Sequence, residues 1–113
     1  MFNIFSSSNG IDISSKEFKD KLENERGVVI DVRTREEFDA GHLALTDRQL
    51  DVMNGDFQNT MPQLDKSKTY YLYCRSGNRS GQAARMMKQS GFENVYNVGG
   101  FDTLVAHGFE AND

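Results

Sequence analysis

The chain has 113 residues, enough for one domain with a single modest core. Thirteen basic against 17 acidic residues leave a net charge of −4, which speaks against broad nucleic-acid or anionic-membrane binding while leaving room for a local basic pocket. One cysteine excludes an internal disulfide, and neither His42 nor His107 stands at metal-ligand spacing from it, so no metal site is expected.

Residues 1–10, rich in Ser and Asn, are expected to be a flexible lead-in, with the domain occupying 11–113. The start "MFNIFSSSNG" has neither a basic segment nor an apolar stretch of useful length. No window reaches the length of an apolar membrane span. A free thiol suits a reducing compartment, so a cytoplasmic location is expected.

In chain order, "IDI" (11–13) can form a short strand. Ser14 and Glu17 have the spacing of a capping box, with Phe18 and Leu22 on one helical face, so a helix should run to about 24–27. "GVVIDV" (27–32) is a continuous apolar run rich in β-branched residues, the mark of a buried parallel strand. Thr34 and Glu37 repeat the capping-box spacing and predict a short helix ending near Gly41. In 42–68, "RQLDVM" can hold a strand and "DFQNTMPQL" a helical turn before Pro62. "KTYYLYC" (68–74) is a second clear strand, "SGQAARMMKQSG" (80–91) a helix stopped by Gly91, and "NVYNV" (94–98) a third strand. Gly99-Gly100 is expected to turn into a last short helix over "FDTLVAHG".

Alternating strands and helices define an α/β domain with a mostly parallel sheet. In such sheets ligands bind beyond the carboxyl ends of the strands. Two stretches lie there: "DVR" (31–33) and "CRSGNRS" (74–80). Cys74 ends a strand and a helix begins a few residues later. Gly77 and Asn78 tolerate left-handed backbone, so the loop can curl its N–H groups inward into an anion-binding nest at a helix N-terminus. Such a nest, with Arg75 and Arg79, favours the thiolate and makes Cys74 a candidate nucleophile exposed at its mouth. Elsewhere a lone cysteine is more often a small buried hydrophobe. The flanking arginines and the strand–loop–helix setting tip the reading toward reactivity.

"CRSGNRS", "DVRTREEFDAGHL" (31–43) and "NVYNVGGF" (94–101) resemble, in this order, three signatures of the single-domain rhodanese-like family of thiosulfate sulfurtransferases. The likeness runs from about residue 11 to 108. It implies a three-layer α/β/α sandwich around a five-stranded, mainly parallel sheet. It also implies that Cys74 takes a sulfur atom from a donor such as thiosulfate, becomes a persulfide, and passes the sulfur to a thiol or cyanide, with no cofactor beyond this covalent intermediate. Partners would then be small sulfur compounds, with neither nucleic acid nor membrane.

Within that resemblance Arg75 would draw the anionic donor, and the backbone N–H groups of residues 75–79 (Arg75, Ser76, Gly77, Asn78 and Arg79) would hold the persulfide's charge. Ser80 would cap the helix. Arg79 would pair with Asp31, Arg33 with Glu37, and His42 would fix a loop. Four residues separate Cys74 from Arg79, one fewer than in the phosphate loop of cysteine phosphatases, which favours sulfur over phosphoryl transfer. The segment "LALTDRQLDV" (43–52) departs from the family pattern, with Asp47 and Arg48 where small residues are usual, and Leu104 stands where Trp is common. That departure leaves open a non-turnover sulfur carrier or regulatory binding module.

Overall fold

The computed structural model describes residues 10–112. The expected flexible lead-in lies, except for Gly10, outside the described residues.

Helix α1 (Ser15–Asn24) begins with the anticipated capping box: the Ser14 hydroxyl accepts from the Glu17 amide while Glu17 accepts from the Ser14 amide. Strand β1 (Val28–Asp31) follows, then α2 (Arg35–Ala40), opened by the same device at Thr34 and Glu37. Two short strands, β2 (His42–Leu43) and β3 (Arg48–Gln49), lead to α3 (Asp56–Thr60) and a 3₁₀ turn at Met61–Gln63. Strand β4 (Thr69–Cys74), α4 (Asn78–Gln89), β5 (Asn94–Gly100), α5 (Phe101–Ala106) and β6 (Ala111–Asn112) complete the chain.

The main sheet has the order β3-β1-β4-β5, every pair parallel, and β2 and β6 form a separate antiparallel ribbon. Among the described residues four strands stand in this sheet where five were expected. Beside β5 the chain does pass in the direction of a fifth strand, but only as one bridge between Asp12 and Asn97. Its two backbone bonds run from Asn97 N–H to Ile11 C=O (2.9 Å) and from Ile13 N–H to Asn97 C=O (3.1 Å). Ser14 caps α1 immediately afterwards, so this segment has no length left to pair further.

Alternation along the strands divides two cores. Ile30, Leu72 and Cys74 join Phe57, Ala83, Ala84 and Met87 beneath α3 and α4. Val29, Tyr71 and Tyr73 join Phe18, Leu43, Leu104 and Phe109 on the other face. Leu104 is fully buried, filling the place where Trp is common. The domain is thus an α/β/α sandwich, and Cys74 belongs to the α4 face at the carboxyl end of a central strand.

The atypical 43–52 segment closes the β1 edge by polar means. Asp47 accepts from the Val29 amide (2.8 Å) and from Arg26 (3.1 Å), which sets the register Ile30↔Arg48 and Asp31↔Gln49. Beyond β3 the backbone continues alongside β1, with Leu50 donating to Asp31 and Val52 to Val32, and both side chains enter the core.

Candidate active site

Two glycines make the bed on which the cysteine loop rests. Cys74 pairs with Gly100 across a register irregularity between β4 and β5. A Cβ on Gly100 would meet the Arg75 carbonyl oxygen at 2.5 Å and the Ser76 Cα at 3.0 Å, so only glycine lets the loop lie this close. These residues were expected to turn. They instead complete β5, and the loop packs on them.

Over this bed the chain reverses at Gly77, whose φ of 96° places it in the left-handed region, and α4 starts at Asn78, two residues earlier than expected. Gly77 alone takes the left-handed conformation, and Asn78 is already helical. Ser80 is not the cap but the third residue inside the helix. With Gly77 in the capping position, no side chain there can accept the orphan N–H groups of the first turn. The cysteine sulfur does so instead. Sγ of Cys74 accepts from the Gly77 amide (3.0 Å) and the Ser80 amide (3.4 Å), and the Ser80 hydroxyl lies 3.3 Å away. The Ser80 amide is the group that a capping Ser or Asp ordinarily takes.

The electrostatic consequence follows from two opposed effects. Burial alone would push the thiol up. The Ser80 hydroxyl and the amides of Ser80, Ser76 and Gly77 outweigh it and hold Cys74 below its ordinary value. The amides turn inward as anticipated, but the sulfur is not exposed: Cys74 is 0% accessible. Its side chain joins the core on the α4 face, and the loop and the first turn of α4 close around it.

The ion pairs around the loop differ from those expected. Asp31 does not take Arg79. Its carboxylate is closed by Arg33, two residues on, through the backbone N–H (2.8 Å), Nε (3.0 Å) and Nη2 (2.7 Å). Arg33 therefore does not pair with Glu37. Its Nη2 also donates to the Gly41 carbonyl (2.7 Å), and the guanidinium lies over the Phe101 ring. Arg79 instead grips Glu37 with two bonds, Nη1 to Oε1 (2.9 Å) and Nη2 to Oε2 (3.0 Å). Glu37 also completes the α2 capping box, so this fork ties the loop-to-α4 junction to the start of α2. The Arg79 bonds, with help from Thr34 and against partial burial, hold the Glu37 carboxyl at about 2.

Arg75 is free of such commitment. It is 76% exposed, 3.9 Å from Glu37, and it lines an open cleft of about 190 Å³ with Arg33, Glu37, Ala40, Phe101 and Asp102. His42 makes its hydrogen bond to the Phe38 carbonyl (3.0 Å) and stacks on the Phe38 ring, so it fixes its own turn and not the cysteine loop. Asn97 was overlooked. Its side chain meets Ser80, Gly77, Gly99 and Asp12, and a polar residue in the middle of the buried run "VYNV" was the signal for it.

The comparisons give the family. The family model for the rhodanese-like domain matches residues 14–107, and the chain belongs to that family. It is 36% identical over 90 residues to a putative sulfurtransferase, YtwF, of Bacillus subtilis, covering 79% of this chain and 84% of that protein. It is 33% identical over 89 residues to the thiosulfate sulfurtransferase GlpE of Coxiella burnetii, covering 77% and 80%. A putative sulfur carrier protein, YrkF, of Bacillus subtilis is 33% identical over 88 residues, or 77% of this chain but 46% of that protein. The chain likewise spans only 27% of a tRNA uridine(34) hydroxylase from Erwinia tasmaniensis, at 29% identity over 80% of its own length. Among solved structures, a rhodanese-related protein of Thermoplasma volcanium superposes with a TM-score of 0.75 at 22% identity, over 90% and 97% of the two chains.

The Glu37–Arg79 fork carries a pH signature. Glu37 has a folded-state value below its ordinary 4.5, so its contribution to stability is present above that value and lost as pH falls toward about 2. Glu37→Gln should therefore be less stable than the wild type at pH 7, with the gap closing between about pH 5 and pH 2. Denaturant midpoints across that range measure it, and a gap independent of pH would remove the charge pair from the account.

Proposed function

We propose that the chain moves a sulfane sulfur from thiosulfate or a related small anionic donor to a thiophilic acceptor through a persulfide on Cys74. The observation that carries this reading is the convergence of the Gly77 and Ser80 amides and the Ser80 hydroxyl on one sulfur at the N-terminus of α4. The two amides so placed stabilise the attacking thiolate and the terminal anionic sulfur of the persulfide without reorganising.

In the first half-reaction the Cys74 thiolate attacks the outer sulfur of thiosulfate. The new S–S bond forms as the old one breaks, and sulfite leaves with the electron pair. In the second, cyanide or an external thiolate attacks the outer sulfur of the persulfide and Cys74 returns as thiolate. With no second cysteine in the chain, the acceptor comes from outside. Arg75, exposed and only loosely engaged, recruits the anionic donor, and Arg79, locked to Glu37, holds the loop's far end. A thiol that must return to its reduced form after each cycle suits the cytoplasm. No cofactor enters this chemistry. Its partners are small sulfur compounds and thiols, and a net charge of −4 provides no broad basic surface for RNA or anionic lipid.

The burial of Cys74 favours a second reading. A covered sulfur is reached only when the loop and helix end around it move, and slow movement would give a carrier or regulatory module with little turnover.

Mass spectrometry after thiosulfate treatment should show a gain of one sulfur atom on Cys74, absent from Cys74→Ser. No gain would contradict both readings, and steady-state thiocyanate formation separates the enzyme from the carrier. Arg75→Ala should raise the thiosulfate KM about tenfold, the order of one lost charge-assisted contact, with kcat little changed. An unchanged KM would take Arg75 out of donor recruitment.

A further inference from the structure

Asn97 sits in the middle of β5, almost wholly buried, and both ends of its side chain are committed. Nδ2 donates to Asp12 Oδ1 (2.9 Å) and to the Gly77 carbonyl (3.0 Å). Both partners only accept, so this end must be the amino group, and Oδ1 faces the other way. There it meets the Gly99 amide (3.2 Å) and the Ser80 hydroxyl (2.7 Å).

An amide oxygen cannot donate, so the single hydrogen of the Ser80 hydroxyl points to Asn97. Yet the same hydroxyl is 3.3 Å from Cys74 Sγ. While Cys74 is a thiol there is no conflict: S–H donates to Ser80 Oγ, and Ser80 donates to Asn97. Once the proton has left for solvent, the thiolate becomes a second acceptor competing for that one hydrogen. The hydroxyl must turn toward the sulfur, and Asn97 keeps only Gly99 as a donor to Oδ1.

We propose that Asn97 is a positioning residue that acts on Cys74 through Ser80, competing for the hydroxyl hydrogen and so holding the thiol back from ionising too readily. The opposing donors are the amides of Gly77 and Ser80. The charged groups around the loop are Arg75 and Arg79, the Glu37 that Arg79 grips, Asp51, the Asp31–Arg33 pair, Asp102 across the Arg75 cleft, Arg85 beside Gly81, and Asp12 on the far side of Asn97. A restraint of this kind is useful chemically. An over-stabilised thiolate is a poorer nucleophile, and the best attacking thiol has a pKa near ambient pH. Asn97 is itself anchored by the Ile11 and Ile13 backbone, so its oxygen cannot follow the hydroxyl as it turns.

The sole cysteine gives one 13Cβ resonance in protein labelled with [3-13C]cysteine, and its pH titration reads the ionisation directly. Asn97→Ala should shift the midpoint down by roughly half a unit to one unit, as expected for one released hydrogen bond. Ser80→Ala should shift it up. In the Ser80→Ala background, Asn97→Ala should have no further effect. If Asn97 were merely structural, its loss would loosen the loop and raise the midpoint. A midpoint that rises or does not move, or the same downward shift without Ser80, overturns the proposal. Should Asn97→Ala melt too low to titrate, Asn97→Leu keeps the branching of the side chain without an acceptor and serves the same test. The proposal rests on the reactive-thiol reading only for its catalytic use. The titration decides it even if thiosulfate proves not to be the donor.

Discussion

A sulfur atom closes the N-terminus of α4. Gly77, in the capping position, has no side chain to do it, so the Gly77 and Ser80 amides turn to Cys74, and a thiolate is the acceptor that profits most from the partial positive charge there. Structure and reactivity share this interaction. The donors that complete the helix end are the ones that favour the ionised sulfur.

Three further features secure it. Glycine at 100 lets the loop lie directly on β5. The Glu37–Arg79 fork clamps the first turn of α4 to α2. Arg33 fills the Asp31 carboxylate, so the β1 end is satisfied without drawing on Arg79. The charges on the two arginines flanking the loop are thereby divided, with Arg79 neutralised in place and Arg75 left facing solvent.

The helices and the strands of the main sheet were legible because their signals are local; the two-residue strands β2 and β6 were not. Both capping boxes, the β-branched run of β1 and the apolar run of β4 depend on a few neighbouring residues and appear as expected. The cysteine loop was legible for the same reason, since a strand, a glycine and a helix start are contiguous. The partners of Asp31, Arg33, Glu37 and Arg79 were not. Four charges near two strand ends permit several pairings, and the choice is made by the reach of Arg33 back over its own strand end and by the position of Glu37 on the first turn of α2. The fifth strand was over-read because "IDI" has strand composition, while the capping box that follows it cuts the pairing to a single bridge. The burial of the sulfur depends on how the loop and α4 pack against the core, which no spacing of residues encodes.

The account stands on Cys74 being ionised more readily than an ordinary thiol despite its burial. Titrating the 13Cβ resonance of this one cysteine in the unmodified protein measures that with no donor present. The account predicts a midpoint below the free-thiol value of about 8.5. A midpoint at or above it would mean that burial wins over the converging donors, and the case for an ionised sulfur would fail.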